Sequence, residues 1–287
     1  MSHTYLRFPA APNLPLAPKQ WDSRYQDQYS NVLRLYFNQL SGLLQRLGTD
    51  QGGYHLSFPY GAFHQNGETT LSTGITNVST TPISVASTEH FPASGWILIG
   101  SEIIQYTSKT DTTFDGTITR GVLGTTNAAH SAGASITEVQ GTGSSTTIGQ
   151  VLFNNTDYSN GIYTTIADYS KIYFTLPAIY NLQISAQLLN FTTSEDNVTI
   201  WFALNGIDIP ATASIQQVNS KHGSSPGAAI LTVNILQEMR SGDYLQLKWT
   251  SDTGNTVVAT YPAGTSPVHP LSPAVILTTT FVSAPAE

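Results

Sequence analysis

Residues 198–210 read VTIWFALNGIDIP. Val198, Ile200, Phe202 and Leu204 fall on one face of an extended chain, because side chains alternate across a strand with a period of two. The Asn205-Gly206 pair that follows suits a two-residue type I′ hairpin, whose central positions both need positive φ. The same period recurs on either side. Ile172, Phe174 and Leu176 alternate, as do Tyr180, Leu182, Ile184, Ala186 and Leu188. So do Leu231, Val233 and Ile235, and then Leu245, Leu247 and Trp249. Ser241-Gly242-Asp243 and Asp252-Thr253-Gly254-Asn255 supply breakers between runs. Eight or more strands and no long helix predict a double-sheet sandwich from about Gly149 onward.

The composition agrees. Only 10% of the 287 residues are charged, against about 25% in ordinary globular proteins. Thr, Ser, Gly and Asn take their place, as suits sheets with hydroxyl-bearing outer faces and surfaces covered by copies of the same chain. A net charge of −7, with 11 scattered Lys and Arg, argues against nucleic acid or an anionic membrane as partner. The absence of cysteine excludes disulfides and thiolate metal sites. It favours assembly in a reducing cytosol. Met1 to Phe8 hold no apolar signal core, and no run approaches the roughly 18 apolar residues of a membrane span. The expectation is a soluble protein.

Upstream of the sandwich the chain changes character twice. Residues 9–18, PAAPNLPLAP, carry four prolines, which forbid a helix and predict an extended strap over residues 1–22. Residues 23–48 predict one helix. Ser23 is the expected N-cap with Gln26 completing a capping box, and Gly48 is the expected stop. Tyr29, Leu33, Tyr36, Leu40, Leu43 and Leu47 follow spacings of 4, 3, 4, 3 and 4, the a/d seam of a coiled coil. Val32, Phe37 and Leu44 widen the stripe, which suits three or more helices or docking on a foreign surface. Residues 49–70 read as a turn-rich connector. Short β-like runs at Ile83–Ala86, Trp96–Ile99, Ile103–Tyr106 and Phe114–Thr119 predict a small barrel-like or sandwich-like module over 71–140. Residues 141–149 read as a flexible linker, leaving 150–287 as the head.

Two stretches resemble known families. Phe91-Pro-Ala-Ser-Gly-Trp-Ile-Leu-Ile-Gly-Ser-Glu-Ile-Ile-Gln-Tyr-Thr, then Thr119-Arg120-Gly121 and Gly124-Thr-Thr-Asn-Ala-Ala-His130, resembles a small β module that recurs in tailed-phage structural proteins. The match covers roughly residues 75–139. In the head, the stretches Gly161-Ile-Tyr-Thr, Tyr173-Phe-Thr-Leu-Pro-Ala-Ile-Tyr180, Val198 to Pro210, Met239 to Trp249 and Pro273 to Val282 resemble, in that order, the tumour necrosis factor/complement globular-head jelly roll. They resemble most the version carried by phage fibre and decoration proteins. The resemblance implies a ten-stranded jelly roll that trimerises through aromatic and aliphatic faces. Ala178 stands where that family usually has a glycine before the tyrosine, a departure confined to one turn.

The expected fold class is therefore mainly β: an N-terminal helix, a small β module and a C-terminal ten-stranded jelly-roll sandwich. The expected function is that of a non-enzymatic virion protein assembled in the host cytoplasm: a homotrimeric neck or tail fibre, anchored by its arm to other phage structural proteins. Capsid decoration and a host-receptor or glycan-binding adhesin are the alternatives. Tyr and Trp suit interfaces because they bury area and keep a polar tip. Tyr163, Tyr173, Tyr180, Trp201, Tyr244 and Trp249 are accordingly the candidate head interface. For an adhesin, the loops 192–197, 219–227 and 261–269 are the expected contact regions. Catalysis finds no support: Glu195-Asp196 are sequence neighbours rather than a spaced carboxylate pair, and no nucleophile elbow, phosphate loop or metal motif is present. Glu89-His90, Glu102, Asp115, Arg120 and His130 lie between apolar runs, where a metal or acid-base site is the alternative; with no ligand spacing such as HExxH or HxH they read as structural, the histidines bonding loop backbone and Arg120 pinning a turn. No cofactor is expected. Some relatives of the head bind calcium, for which Asp196, Asp208 and Asp243 are candidate oxygens, but six or more ligands cannot be assembled from the sequence.

Overall fold

The computed structural model describes residues 9–47 and 58–284. The chain divides into two compact units, residues 1–58 and 59–287.

In the first unit α1 spans Ser23–Leu47, about 37 Å at 1.5 Å per residue. Its cap is Asp22 rather than the expected Ser23. Asp22 Oδ1 accepts the Arg24 N–H at 2.9 Å, and its carbonyl accepts the first helical bond, from Gln26 N–H. Ser23 is already inside the helix, so no capping box to Gln26 forms. Gly48 lies outside the described residues. Among the apolar helix residues, the heptad positions Tyr29, Leu33, Tyr36, Leu40, Leu43 and Leu47 are all half-buried or buried, whereas Leu35, Phe37 and Leu44 are exposed. Residues 9–22 of the strap form no helix or strand, and Asn13, Leu14 and Pro15 line a shallow open pocket with Gln28, Asn31, Val32 and Leu35.

The second unit is built from strands. The first eight are β1 (Tyr60–Gln65), β2 (Glu68–Thr70), β3 (Ile83–Ser84), β4 (Gly95–Ile99), β5 (Glu102–Tyr106), β6 (Ser108–Lys109), β7 (Thr113–Asp115) and β8 (Ser135–Gly141). There follow β9 (Gly149–Gln150), β10 (Asn155–Asn160), β11 (Ile162–Thr165), β12 (Asp168–Phe174), β13 (Ala178–Asn190), β14 (Asp196–Leu204) and β15 (Ile207–Asp208). The chain closes with β16 (Ser214–Val218), β17 (Gly227–Met239), β18 (Tyr244–Ser251), β19 (Thr256–Ala259), β20 (Gly264–Thr265), β21 (Val268–His269) and β22 (Val275–Ser283).

Ten of these make the jelly roll. One sheet runs β10-β1-β22-β13, with β17 on the far edge of β13; the other runs β11-β12-β18-β14, with β16 on β14. All these pairings are antiparallel. The inward phases of the alternation close over one core that includes Tyr180, Leu182, Ile184, Phe202, Leu247 and Trp249. Asn205 and Gly206 have φ of 52° and 85° and join β14 to β15 as the predicted hairpin. Ala178 is fully buried and opens β13 opposite Met239, so the absent glycine breaks no pairing.

The organisation departs from the sequence reading at two places. Residues 60–65, assigned to a connector, form β1 between β10 and β22 in the head sheet, with Phe63 fully buried in the head core. The small module is thus inserted after the head's first strand. Its sheet β2-β8-β4-β5 joins the head through β8 and β19, and β3-β7-β6 forms a second small sheet. Between them lies a separate core with Ile83, Ile97, Ile99, Ile104, Phe114 and Ile136. Further, the segment 141–149 is held at both ends, by β8 on β19 and by β9 on β18. Leu98, Ile103 and Val139 of the module pack with Leu189, Phe191 and Val257 of the head in a third apolar cluster.

Leu182 sits at the centre of the head core with no exposure. Leu182→Ala is expected to cost about 2–5 kcal/mol, the range for leucine truncation in a packed core. The measurement is the shift in the denaturant midpoint at unchanged slope.

Candidate functional site

Three features carry chemistry or contact potential: the outer faces of the two head sheets, the polar cluster inside the module, and a carboxyl buried where module and head meet.

On the outer face of the first sheet, cross-strand partners line up in rows. One row is Asn160, Tyr60, Thr280, Asn181 and Leu236; the next is Tyr158, Ala62, Thr278, Gln183 and Asn234. A third contains His64, Ile276, Ser185 and Thr232. Tyr158 (73% exposed), Leu236 (62%), Ile230 (57%), Tyr60 (43%) and Ile276 (42%) stand open on this face. Charge is confined to its margins, where His64 Nδ1 meets Asp157 Oδ2 at 3.2 Å and Glu238 lies opposite Ile179. Five strands at about 4.8 Å spacing make it roughly 20 Å wide.

The six predicted head residues do not share one surface. Tyr180 and Trp249 are fully buried within the subunit and cannot reach a partner. Their own alternation explains this: Tyr180 is in phase with Leu182 and Ile184, and Trp249 with Leu245 and Leu247, all inward. The Tyr180 hydroxyl donates to Leu176 O at 2.9 Å. The other four lie on the outer face of the second sheet. Tyr163 stacks on Tyr173 at 5.4 Å, Tyr173 meets Tyr244 at 5.7 Å, and Lys171 Nζ lies 5.0 Å from the Tyr244 ring centre. Trp201 is half-buried opposite Lys248. Lys248 Nζ, at 2.8 Å, and then the Trp201 indole hold the Asp208 carboxyl below its usual range.

Inside the module the structure brings together Glu102, Arg120 and His130, three of the polar residues that the sequence reading grouped and took as structural. Arg120 makes a bidentate pair with Glu102 through Nε–Oε1 and Nη2–Oε2, both 2.7 Å. It also donates to the carbonyls of Thr76, Ser79 and Ala128. His130 Nε2 lies 2.8 Å from Glu102 Oε2, so its ring bonds a carboxylate and not loop backbone as expected. Burial alone would push the Glu102 carboxyl up. Hydrogen bonds from Arg120, the Ala128 N–H and His130, with the Arg120 charge, outweigh it and hold the group below the carboxylate range. Each oxygen is used several times over, as in a structural staple. Removing one partner of a buried ion pair leaves the other uncompensated. Arg120→Ala is therefore expected to destabilise the protein by about 3–5 kcal/mol, measured by chemical denaturation, with Ala in place of both Arg120 and Glu102 recovering part of the loss.

The calcium candidates lie in separate surroundings. Asp196 is buried and accepts from Ser251 Oγ, Thr253 N and both N and Oγ1 of Thr256. Burial raises its carboxyl, but these bonds prevail and keep it low. Asp243 accepts from Asn205 Nδ2 and Arg240 N, both at 2.7 Å. Among the described residues no three His, Asp or Glu side chains converge as metal ligands.

Glu138, on β8, was not singled out in the sequence. It is 1% exposed. Asn154 Nδ2 donates to its Oε2 at 3.3 Å, while Oε1 has no hydrogen-bond partner. Burial pushes its carboxyl up to about 8, against weaker opposing effects of Gln65, Asn154 and Lys109. The sign follows directly. A carboxyl with a raised folded-state pKa adds stability below its ordinary value of 4.5, and that contribution is lost as pH rises through about 8. Glu138→Gln is expected to melt at a higher temperature than the wild type at pH 9, with the gap closing toward pH 4; thermal melts across that range are the check.

No protein-family model and no curated protein matches the chain. Among solved structures, crystal structures of murine APRIL at pH 5.0 and pH 8.5 are similar to it. Each is 11% identical with a TM-score of 0.32, and they cover 47% and 50% of this chain and 88% and 92% of that chain. Likeness at that level adds nothing to the strand pairing, which itself defines the jelly roll. No helix among the described residues is long and apolar enough to cross a membrane.

Proposed function

We propose that this chain is a non-enzymatic structural protein of a tailed-phage particle, working as a homotrimer that is assembled in the host cytoplasm. The observation that carries self-association is the uncharged outer face of the sheet β10-β1-β22-β13-β17. Tyr60, Tyr158, Ile230, Leu236 and Ile276 stand exposed on it among Asn, Thr, Gln and Ser. The mixture found there, Tyr, Ile and Leu among Thr, Asn and Gln, has the charge depletion and aromatic content of an interface core. The phage assignment rests on the wording of residues 75–139 and of the head. In this reading the N-terminal arm is the anchor: the seam Tyr29, Leu33, Tyr36, Leu40, Leu43 and Leu47 docks on other structural proteins or on copies of itself, as the seam of a coiled coil does. The role is passive, with burial between copies supplying stability. Neck or tail fibre is the preferred placement, with capsid decoration and a host-receptor or glycan-binding adhesin as the alternatives.

Sedimentation equilibrium of the full chain tests the central claim. A species of three 30.9 kDa chains is expected at micromolar concentration. Leu236→Lys combined with Ile276→Lys should shift it to single chains without loss of the β-sheet circular dichroism signal. A wild type that sediments as one chain at that concentration would overturn the reading.

A further inference from the structure

Pro9, Pro12, Pro15 and Pro18 recur at every third residue of the strap, the repeat of a polyproline II helix. Burial follows the same period. Pro9, Pro12 and Pro15 are half-buried, while Ala10, Ala11, Asn13, Leu14, Leu16 and Ala17 between and after them are exposed. A strand would bury every second residue instead. One proline edge of the strap therefore faces protein from Pro9 to Pro15.

The helix shows the matching mark. Tyr29, Leu33, Tyr36 and Leu40 along its seam are half-buried, whereas Leu35, Phe37 and Leu44 on its flanks are exposed. A helix alone in water would leave both sets open alike. The chain bends at Lys19 and Gln20 and enters α1 at Ser23, and this reversal brings Leu14 and Pro15 beside Val32. Val32 borders the seam at Leu33. From Leu14 back to Pro9 a polyproline rise of about 3.1 Å per residue covers about 16 Å. The antiparallel helix covers that distance in about ten residues at 1.5 Å each. Pro9 thus comes level with the neighbourhood of Leu43, whose side chain is buried, at 8% exposure.

We infer that the proline strap is a cover for the seam of its own helix, so that the strap and any docking partner compete for the same stripe. This rests on the reading above that the seam is the arm's docking surface, and adds that the surface is shielded until something displaces the strap. The chemistry suits a cover that opens. Proline has no N–H, so its inward edge has no backbone donor to offer and holds by apolar packing. A polyproline segment is extended before it binds, so closing it over a stripe of tyrosine and leucine orders little extra chain.

The protein has no cysteine, so a single introduced thiol reports alone. Val32→Cys and, as an exposed control, Leu44→Cys are made in the full-length chain. Maleimide labelling reads an open seam, and interchain disulfide formation on mild oxidation reads a seam paired with another copy. With the strap intact, Val32→Cys should label about tenfold or more slowly than Leu44→Cys, as a locally protected site does, and should form little disulfide. Adding Pro9→Gly, Pro12→Gly and Pro15→Gly should raise one of the two rates at Cys-substituted Val32 by about tenfold or more. Fast labelling or fast disulfide formation with the strap intact would overturn the inference, and so would a triple variant that stays slow in both. If the triple variant loses hydrogen-exchange protection in α1, Pro12→Gly alone is read in its place. A seam that docks on nothing would still show strap-dependent labelling, so the cover and the docking reading fail separately.

Discussion

The hydrogen-bonded ladder between Tyr60–Gln65 and Val275–Ser283 joins the two ends of the larger unit. It puts β1 beside β22, and β22 beside β13, one of the two longest strands of the core. Everything inserted between β1 and the rest of the sandwich must leave and re-enter within that frame. The small module meets the condition by pairing its own β8 with β19, which extends the β13 edge of the same sheet. Head and module therefore share a continuous ladder as well as an apolar cluster, and motion of one against the other would break backbone hydrogen bonds.

The module and its boundary treat two buried carboxyls in opposite ways. Glu102 is surrounded by donors, including a guanidinium that also ties three carbonyls, and it stays ionised because desolvation is more than repaid. Glu138 has only the weaker opposing effects of Gln65, Asn154 and Lys109, so desolvation prevails and its proton is retained. Low dielectric magnifies both results, since it strengthens a satisfied pair and penalises an unsatisfied group. A staple and a starved site thus sit a few strands apart in one small sheet, on β5 and β8.

Much of the head was legible in the sequence. The alternation through Tyr180–Leu188, Val198–Leu204 and Leu245–Trp249 gave the strands and their inward phases, and Asn205-Gly206 gave a turn at the right position. β1 escaped because its inward positions are Gly61, Phe63 and Gln65: one apolar residue in three shows no period. Tyr180 and Trp249 were misplaced when aromatic character was weighed above the phase of their own strands. The outer face of the first sheet was hidden for a related reason. It draws single residues such as Tyr60, Leu236 and Ile276 from strands far apart in the chain, and only the register lines them up. Glu138 lies in Ile136-Thr-Glu-Val-Gln140, where an outward acidic residue would read the same. Its burial depends on Gln65 and Asn154, which no local window contains.

His64 and Asn155 face each other directly across β1 and β10, although the whole small module lies between them in the chain. The exit and the return of that insertion are thus side by side, at the spacing of an ordinary hairpin. A detour of this kind is a cassette: its length and content can vary from one protein to another while the two flanking strands keep the same neighbours.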